Sequence, residues 1–291
     1  MMIKTTLALL AAATALSAQA AIDVNAPGFT YNQNFDSLAN SGTGNTWTND
    51  STLSGWSLFV QPTPGTAFSG TYSADAGGSN SGGFKSLGSD GSSERALGGV
   101  ASGNAYFSPG GIGTGPASGA VAGWIVLAFQ NNTGGALNSF MLDFDGEQWR
   151  NANTGGQTMT MEYGFGSAFG SVGQWTAPGA SFNWTSPVSG GTTSALDGNA
   201  AGNRVAGLGG TVAVPWSTGD TLWLRWAENN DIGSDHALAI DNLSFSVTAV
   251  PEPETYALML AGLATVATLA CRRQRAGART RVVAPADNTA I

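Results

Sequence analysis

Leu137-Asn138-Ser139-Phe140-Met141-Leu142-Asp143-Phe144-Asp145-Gly146-Glu147 repeats with a period of two. Phe140, Leu142 and Phe144 fall on one side of an extended chain, and Met141, Asp143, Asp145 and Glu147 on the other. A helix of 3.6 residues per turn would scatter both sets, so the stretch reads as a strand with one buried face.

Working outward, the same alternation recurs. Residues 158–165 place Met159, Met161, Tyr163 and Phe165 on one face. Residues 221–226 alternate Leu222, Leu224 and Trp226 with Trp223 and Arg225, which predicts a central strand with apolar groups on both faces. Further strands are expected at 29–35, 55–60, 92–97, 123–131, 181–185, 210–214 and 237–247. Gly, Ser, Asn and Thr clusters separate them, including Gly77-Gly78-Ser79-Asn80-Ser81-Gly82-Gly83. No segment before residue 250 has convincing helical periodicity, and no repeat of fixed period is present. The expected fold is all-β, a two-sheet β-sandwich or jelly roll spanning 22–248.

Composition supports a folded body. Glycine is high at 42 residues and charged residues are only 10%, yet 42% of the chain is hydrophobic, with nine Trp and 13 Phe to build a core. The formal net charge of −8 hides an asymmetry. Residues 21–250 carry five Lys and Arg (Lys85, Arg95, Arg150, Arg204, Arg225) against 16 Asp and Glu, a formal −11. Nucleic-acid binding needs clustered Lys and Arg, so this body is not expected to bind it. Neutral glycans and divalent cations are compatible with the charge. The one cysteine, Cys271, lies outside the body, which excludes a disulfide, a thiolate metal site and a cysteine nucleophile there.

The two ends read as targeting segments. Residues 1–20 combine Lys4, an apolar core over 7–16 and Ala18-Gln19-Ala20, the small-x-small pattern of a cleavable secretory signal. Near the other end stand Pro251-Glu252-Pro253, then 17 uncharged residues at 255–271, then Arg272-Arg273-Gln274-Arg275. As a helix, 255–271 would be about 25 Å long, within the range of a single transmembrane span. The arginines would hold the following tail, 276–291, in the cytoplasm. With the signal at the front, the body is expected outside the inner membrane.

This order of parts resembles the PEP-CTERM sorting signal of Gram-negative bacteria, spanning 250–275 here. The resemblance rests on Pro251, Glu252 and Pro253, the apolar helix with Gly262-Leu263, and Arg272, Arg273 and Arg275. It implies recognition by a membrane-embedded exosortase that processes the precursor near the Pro-Glu-Pro motif. It also implies a mature form at the cell surface or outside the cell, and an association with exopolysaccharide and biofilm. The extension over 276–291 is longer than such tails usually carry. Ala239-Ile240-Asp241-Asn242-Leu243-Ser244-Phe245 is similar to the last strand of jelly-roll carbohydrate-binding and MAM-like modules.

Three constellations could carry chemistry. Asp143, Asp145 and Glu147 lie at i, i+2 and i+4, about 7 Å apart along one strand face. They loosely resemble the Glu-x-Asp-x-Glu strand of laminarinase-like hydrolases, where carboxyls about 5–5.5 Å apart retain configuration. Asp143 stands where those enzymes have their Glu nucleophile. A solvated face, or carboxylates on calcium, is the competing reading and the favoured one. Trp149 and Arg150 follow, and with Glu147 they form a candidate glycan platform; Trp47, Trp175 and Trp184 also lie near loops, and Arg150 could instead pair with Glu147.

The second constellation is Asn229, Asn230, Asp231, Asp235 and Asp241, oxygen-rich around a turn. If the first and last strands pair, Asp36 joins Asp241, giving a candidate structural calcium site of Asp36, Asp231, Asp235 and Asp241 against the alternative of a self-capped Asx turn. The third is His236, the only histidine, which has neither a Gly-x-Ser-x-Gly elbow nor zinc partners and reads as a turn residue. No catalytic residue is assigned. The chain is expected to be non-enzymatic, with a glycan-active enzyme using Asp143, Asp145 and Glu147 as the alternative.

Overall fold

The computed structural model describes residues 21–60, 70–101, 120–231, 233–248 and 253–279. It divides into two compact units, Met1–Thr248 and Ala249–Ile291.

In the first unit, the described strands form two sheets. The smaller is built on β8 (Ala120–Asn131), β14 (Thr221–Asn230) and β10 (Thr158–Phe165), all antiparallel. The far edge of β8 is shared end to end by β4 (Trp56–Val60) and the parallel β1 (Ile22–Val24); β11 (Trp184–Thr185) flanks β10. The doubly apolar strand read from the sequence, β14, is therefore interior, between β8 and β10.

The larger sheet is built on β9 (Leu137–Asn151) and β15 (Ala237–Val247). One edge of β9 carries β13 (Arg204–Trp216) and β12 (Ser194–Ala195). The far edge of β15 is divided between β2 (Thr30–Gln33) and β7 (Ala96–Val100), and the sheet continues through β6 (Gly83–Leu87), β5 (Gly70–Asp75) and β3 (Asn45–Trp47). The expected pairing of an early strand with the last one is thus realised by β2 on β15.

The sheets enclose one main core. Phe140, Leu142 and Phe144 of β9 meet Leu222, Leu224 and Trp226 of β14, as alternation requires. Rings close the seam: Phe129 stacks on Phe245 at 3.8 Å, and Phe144 meets Trp226 edge-on at 5.5 Å. The other face of β14 is buried too, because Trp223 joins Phe59, Trp124 and Phe169 under a 3-10 turn at Phe169–Ser171.

Two local devices position the functional face. On β15 the register slips between Asp241 and Ser244, and Asn242 takes φ 51. This bulge lets Leu238 and Ile240 before it, and Leu243 and Phe245 after it, all reach the core. On β9, Gly146 falls on the core side beneath Trp184, where a Cβ would lie 2.3 Å from the indole.

Among the described residues of the second unit there is one helix, α1 (Pro253–Arg279), which includes the stretch 255–271 and runs past the arginines. Side chains are described from 258 to 273, and Leu258, Met259, Leu260, Leu263, Val266 and Leu269 are exposed. Among the described residues no helix is long and apolar enough to cross a membrane. The spanning role expected of 255–271 rests on the sequence and on its sorting context.

Gly146→Ala should destabilise the full-length chain by about 1–3 kcal/mol, the usual cost of overpacking a filled core. Gly155→Ala, where nothing lies within 4 Å of the added carbon, should stay within about 0.5 kcal/mol of the parent. Urea unfolding checks both; equal midpoints for the two variants would contradict this packing.

Candidate functional site

Because Phe140, Leu142 and Phe144 of β9 point into the core, Asp143, Asp145, Glu147 and Trp149 point out of the larger sheet. That outer face is not open. Asp143 is half-buried, Asp145 is 9% exposed, and Glu147 is 0% exposed. The chain between β12 and β13 closes over them. There Gly198 passes so near the Trp149 ring that a Cβ would lie 2.3 Å from its Nε1, and Asn199 Nδ2 donates to Glu94 Oε2 at 2.5 Å.

The row is tied from several directions. Trp149 Nε1–H donates to Glu147 Oε2 at 2.9 Å. Asp145 accepts from the Gly207 amide at 2.9 Å and from Asn242 Nδ2 at 3.1 Å, and Arg204 Nη1 lies 3.6 Å from it. The bulge on β15 thus places Asn242 to hold Asp145, while Asp241, directly opposite Asp145 in register, turns to the same outer face at 2% exposure.

Here Glu94, Glu147 and Asp241 come together. One carboxylate oxygen from each lies within 4.8 Å of the others. Glu94 Oε1, Glu147 Oε1 and Asp241 Oδ1 are buried without a hydrogen-bond partner. Burial pushes Glu147 up to about 7, against the hydrogen bond from Trp149, with Glu94 adding repulsion. Burial pushes Asp241 up to about 8, with Glu147, Glu94 and Asp36 adding repulsion against a backbone hydrogen bond from Asn242. Glu94 was not singled out from sequence. It stands beside Arg95 before a short strand, and only the register of β7 on β15, pairing Leu97 with Ile240, carries it to Asp241.

The glycan platform needs correcting. Trp149 is 1% exposed and spends its N–H on Glu147, so it offers no ring to a sugar. Arg150 does not pair with Glu147; its Nη1 donates to the Gly77 and Gly78 carbonyls at 3.4 and 3.0 Å. Trp47 and Trp184 are likewise core residues. Trp175 alone of the four is half-exposed, with the Arg225 guanidinium 3.9 Å from its ring centre.

The structure divides the four aspartates considered for calcium. Asp36 lies close enough to Asp241 to raise its pKa, but its oxygens already accept from the Arg95 amide at 3.1 Å and Asn34 Nδ2 at 2.6 Å. Asp231 and Asp235 sit elsewhere. Asp235 Oδ1 accepts from the Asp231 amide at 2.9 Å and Gln157 Nε2 at 3.3 Å. Buried Glu228 lies near them, pushed up to about 8 by burial and then by Asp235 and Asp231.

Among the sorting residues, Ala18, Ala20, Pro251 and Glu252 lie outside the described residues; Pro253 opens α1, which also contains Arg272, Arg273 and Arg275. A separate cavity of about 360 Å³ lies at the far edge of the larger sheet, lined by the hydroxyls of Thr43, Thr71, Ser73, Ser79 and Ser81. The buried Lys85–Asp75 ion pair, at 2.8 Å, belongs to its wall.

Residues 249–275 match the model of the PEP-CTERM protein-sorting motif. No curated protein matches the chain. Among solved structures, the body is similar to the CBM22-1 xylan-binding domain of Paenibacillus barcinonensis Xyn10C, at 12% identity and a TM-score of 0.32, over 78% of this chain and 99% of that domain.

His236 generates a pH prediction. Its Nδ1 accepts from the Ala152 amide at 3.0 Å, which leaves the proton on Nε2, 3.1 Å from the Gly155 carbonyl. Burial lowers its pKa below the ordinary 6.5. The folded state therefore favours the neutral ring: this stability is complete above about 6.5 and is lost as pH falls below it. The parent's melting-temperature advantage over His236→Asn should be full at pH 7.5 and smaller at pH 5; an advantage that grows on acidification would refute the tautomer.

Proposed function

We propose that this chain is an exported, non-catalytic β-sandwich protein, sorted by an exosortase to the surface or extracellular matrix of a Gram-negative bacterium, whose body contacts exopolysaccharide. The PEP-CTERM motif over 249–275 carries this reading. Such a motif marks an exported protein with a C-terminal membrane anchor that exosortase processes. The signal pattern at 1–20 agrees with it, and the arginines after the apolar stretch hold the precursor's tail on the cytoplasmic side of the inner membrane.

For the body, the formal −11 over 21–250 disfavours phosphate-rich partners and leaves neutral glycans. The hydroxyl-lined cavity beside β5 and β6 has the polar groups such a ligand needs. The non-catalytic reading is supported by Glu147. Fully enclosed beneath the 196–203 chain, it has no path to a glycosidic oxygen, and Asp145 is already held by Arg204, Gly207 and Asn242.

Three measurements test this. Native electrophoresis of the full-length chain through gels containing the producing organism's exopolysaccharide should show retardation, reduced at least fivefold in Ser73→Arg. Incubation with the same polymer should release no new reducing ends; their release, abolished in Glu147→Gln, would replace this reading with a glycoside hydrolase. Replacing Pro251 and Pro253 by Ala should leave the precursor unprocessed in cells carrying the exosortase.

A further inference from the structure

Among the described residues, no Lys or Arg forms an ion pair with Glu94, Glu147 or Asp241. Each of the five Lys and Arg is engaged elsewhere. Lys85 pairs with Asp75, Arg225 with Glu162, and Arg204 with Asp145. Arg95 turns its guanidinium to Ser86 and the Asp75 carbonyl, and Arg150 caps the Gly77 and Gly78 carbonyls. Arg95 acts on Glu94, and Arg204 on Glu147, only through space, with no direct ion pair to either. Removing several carboxylates from water without a counter-charge is strongly unfavourable.

Their geometry is that of a ligand set. Glu147 on β9, Asp241 on β15 and Glu94 before β7 come from three adjacent strands. Small neighbours, Ala237 and Ala239 of β15, leave room on that face. Two of the three are preset by a hydrogen bond to one oxygen: Asn199 holds Glu94 Oε2 and Trp149 holds Glu147 Oε2. The other oxygens of these two, and Oδ1 of Asp241, are buried and unpartnered. Glu147 is 0% and Asp241 2% exposed, so these are not idle surface acids.

We propose that Glu94, Glu147 and Asp241 bind a calcium ion that fastens β7, β9, β15 and the 196–203 segment together. Calcium–oxygen distances of about 2.3–2.6 Å put two ligands of one ion at most about 5.2 Å apart, and the 4.8 Å spread of the three carboxylates fits within that. The donor set is entirely hard oxygen. Zinc would call for imidazole or thiolate, and His236 is occupied at Ala152 and Gly155. Calcium takes six to eight oxygens, so backbone carbonyls or solvent complete the shell. The site differs from the one read in sequence: it keeps Asp241, recruits Glu147 and Glu94, and leaves out Asp36, Asp231 and Asp235. It does not rest on the glycan reading.

The test uses the full-length chain in detergent, stripped with EGTA. Calcium chloride up to about 1 mM, the range of extracellular calcium modules, should raise the melting temperature. At a hundred times Kd the folding constant should rise about a hundredfold. The Glu147→Gln, Asp241→Asn double variant should not respond. No calcium response in the parent, an equal response to magnesium chloride, or an unchanged response in the double variant would each overturn the proposal. If that variant does not fold, terbium decides. Trp149 adjoins the site, so terbium emission excited through tryptophan should be displaced by calcium and fall severalfold in Trp149→Phe; emission unaffected by that change would also overturn it.

Discussion

Strand alternation along β9 is the constraint on which the rest of this body depends. A strand has two faces and a fixed period, so once Phe140, Leu142 and Phe144 enter the main core, Asp143, Asp145 and Glu147 must leave on the other side. In a sandwich whose outer faces meet water, that would be an ordinary solvated row. Here the chain from β12 to β13 returns across the outer face, and the row becomes an interior. The hydrogen bonds to it from Trp149, Gly207 and Asn242, and that from Asn199 to the adjoining Glu94, answer that second burial.

The neighbouring strands accommodate the same demand. β15 must serve the core along its whole length while presenting Asp241 outward and a side chain to Asp145. A regular strand cannot place Leu238, Ile240, Leu243 and Phe245 all inward, because the parity changes between Ile240 and Leu243. The bulge absorbs the odd residue, with Asn242 at φ 51, a conformation asparagine tolerates better than most residues. Gly98 of β7 faces Ala239 in register, and a Cβ there would lie 2.0 Å from the Leu238 carbonyl. Small residues at this crossing allow three strands to approach closely and leave room for the carboxylates above.

These mechanisms also explain what was legible in sequence. Long amphipathic strands such as 158–165 and 237–247 were readable to the residue because their own alternation sets their ends. β14 was readable as interior because both its faces are apolar. The short β1, β3, β5, β6 and β12 were not, since segments of two to six residues are too short to show a period and become strands through the edges they join. The carboxylate row was assigned to the correct face, but its exposure depends on chain some 50 residues later in sequence. Trp149 is the clearest case. Its position beside a Gly- and Asn-rich loop suggested an accessible ring, whereas Gly198 packs against it from a different loop. In sequence Asp241 and Glu147 belong to different constellations, because nothing local announces that the bulge and the register of β15 bring them together.

The charge of the body can now be read by position. Its few cations are structural: the Lys85–Asp75 pair is buried in the larger sheet, Arg225 bridges Glu162 and the Trp124 and Trp175 rings, and Arg95 and Arg150 cap carbonyls of the β5–β6 region. The excess negative charge is therefore not a diffuse surface property. Part of it is concentrated inside, in Glu94, Glu147 and Asp241 on one face and in Glu228 near Asp231 and Asp235 elsewhere. A surface excess would be screened within about 8–10 Å by salt and would matter chiefly for solubility and encounter. Buried carboxylates are screened far less, so they must be neutralised locally, by a proton or by a metal. Which of the two acts is decided by how many carboxylates converge. Among the described residues, Glu228 forms no such converging group with Asp231 and Asp235 and can keep its proton, whereas the three converging oxygens of Glu94, Glu147 and Asp241 repel one another until a multivalent cation sits between them.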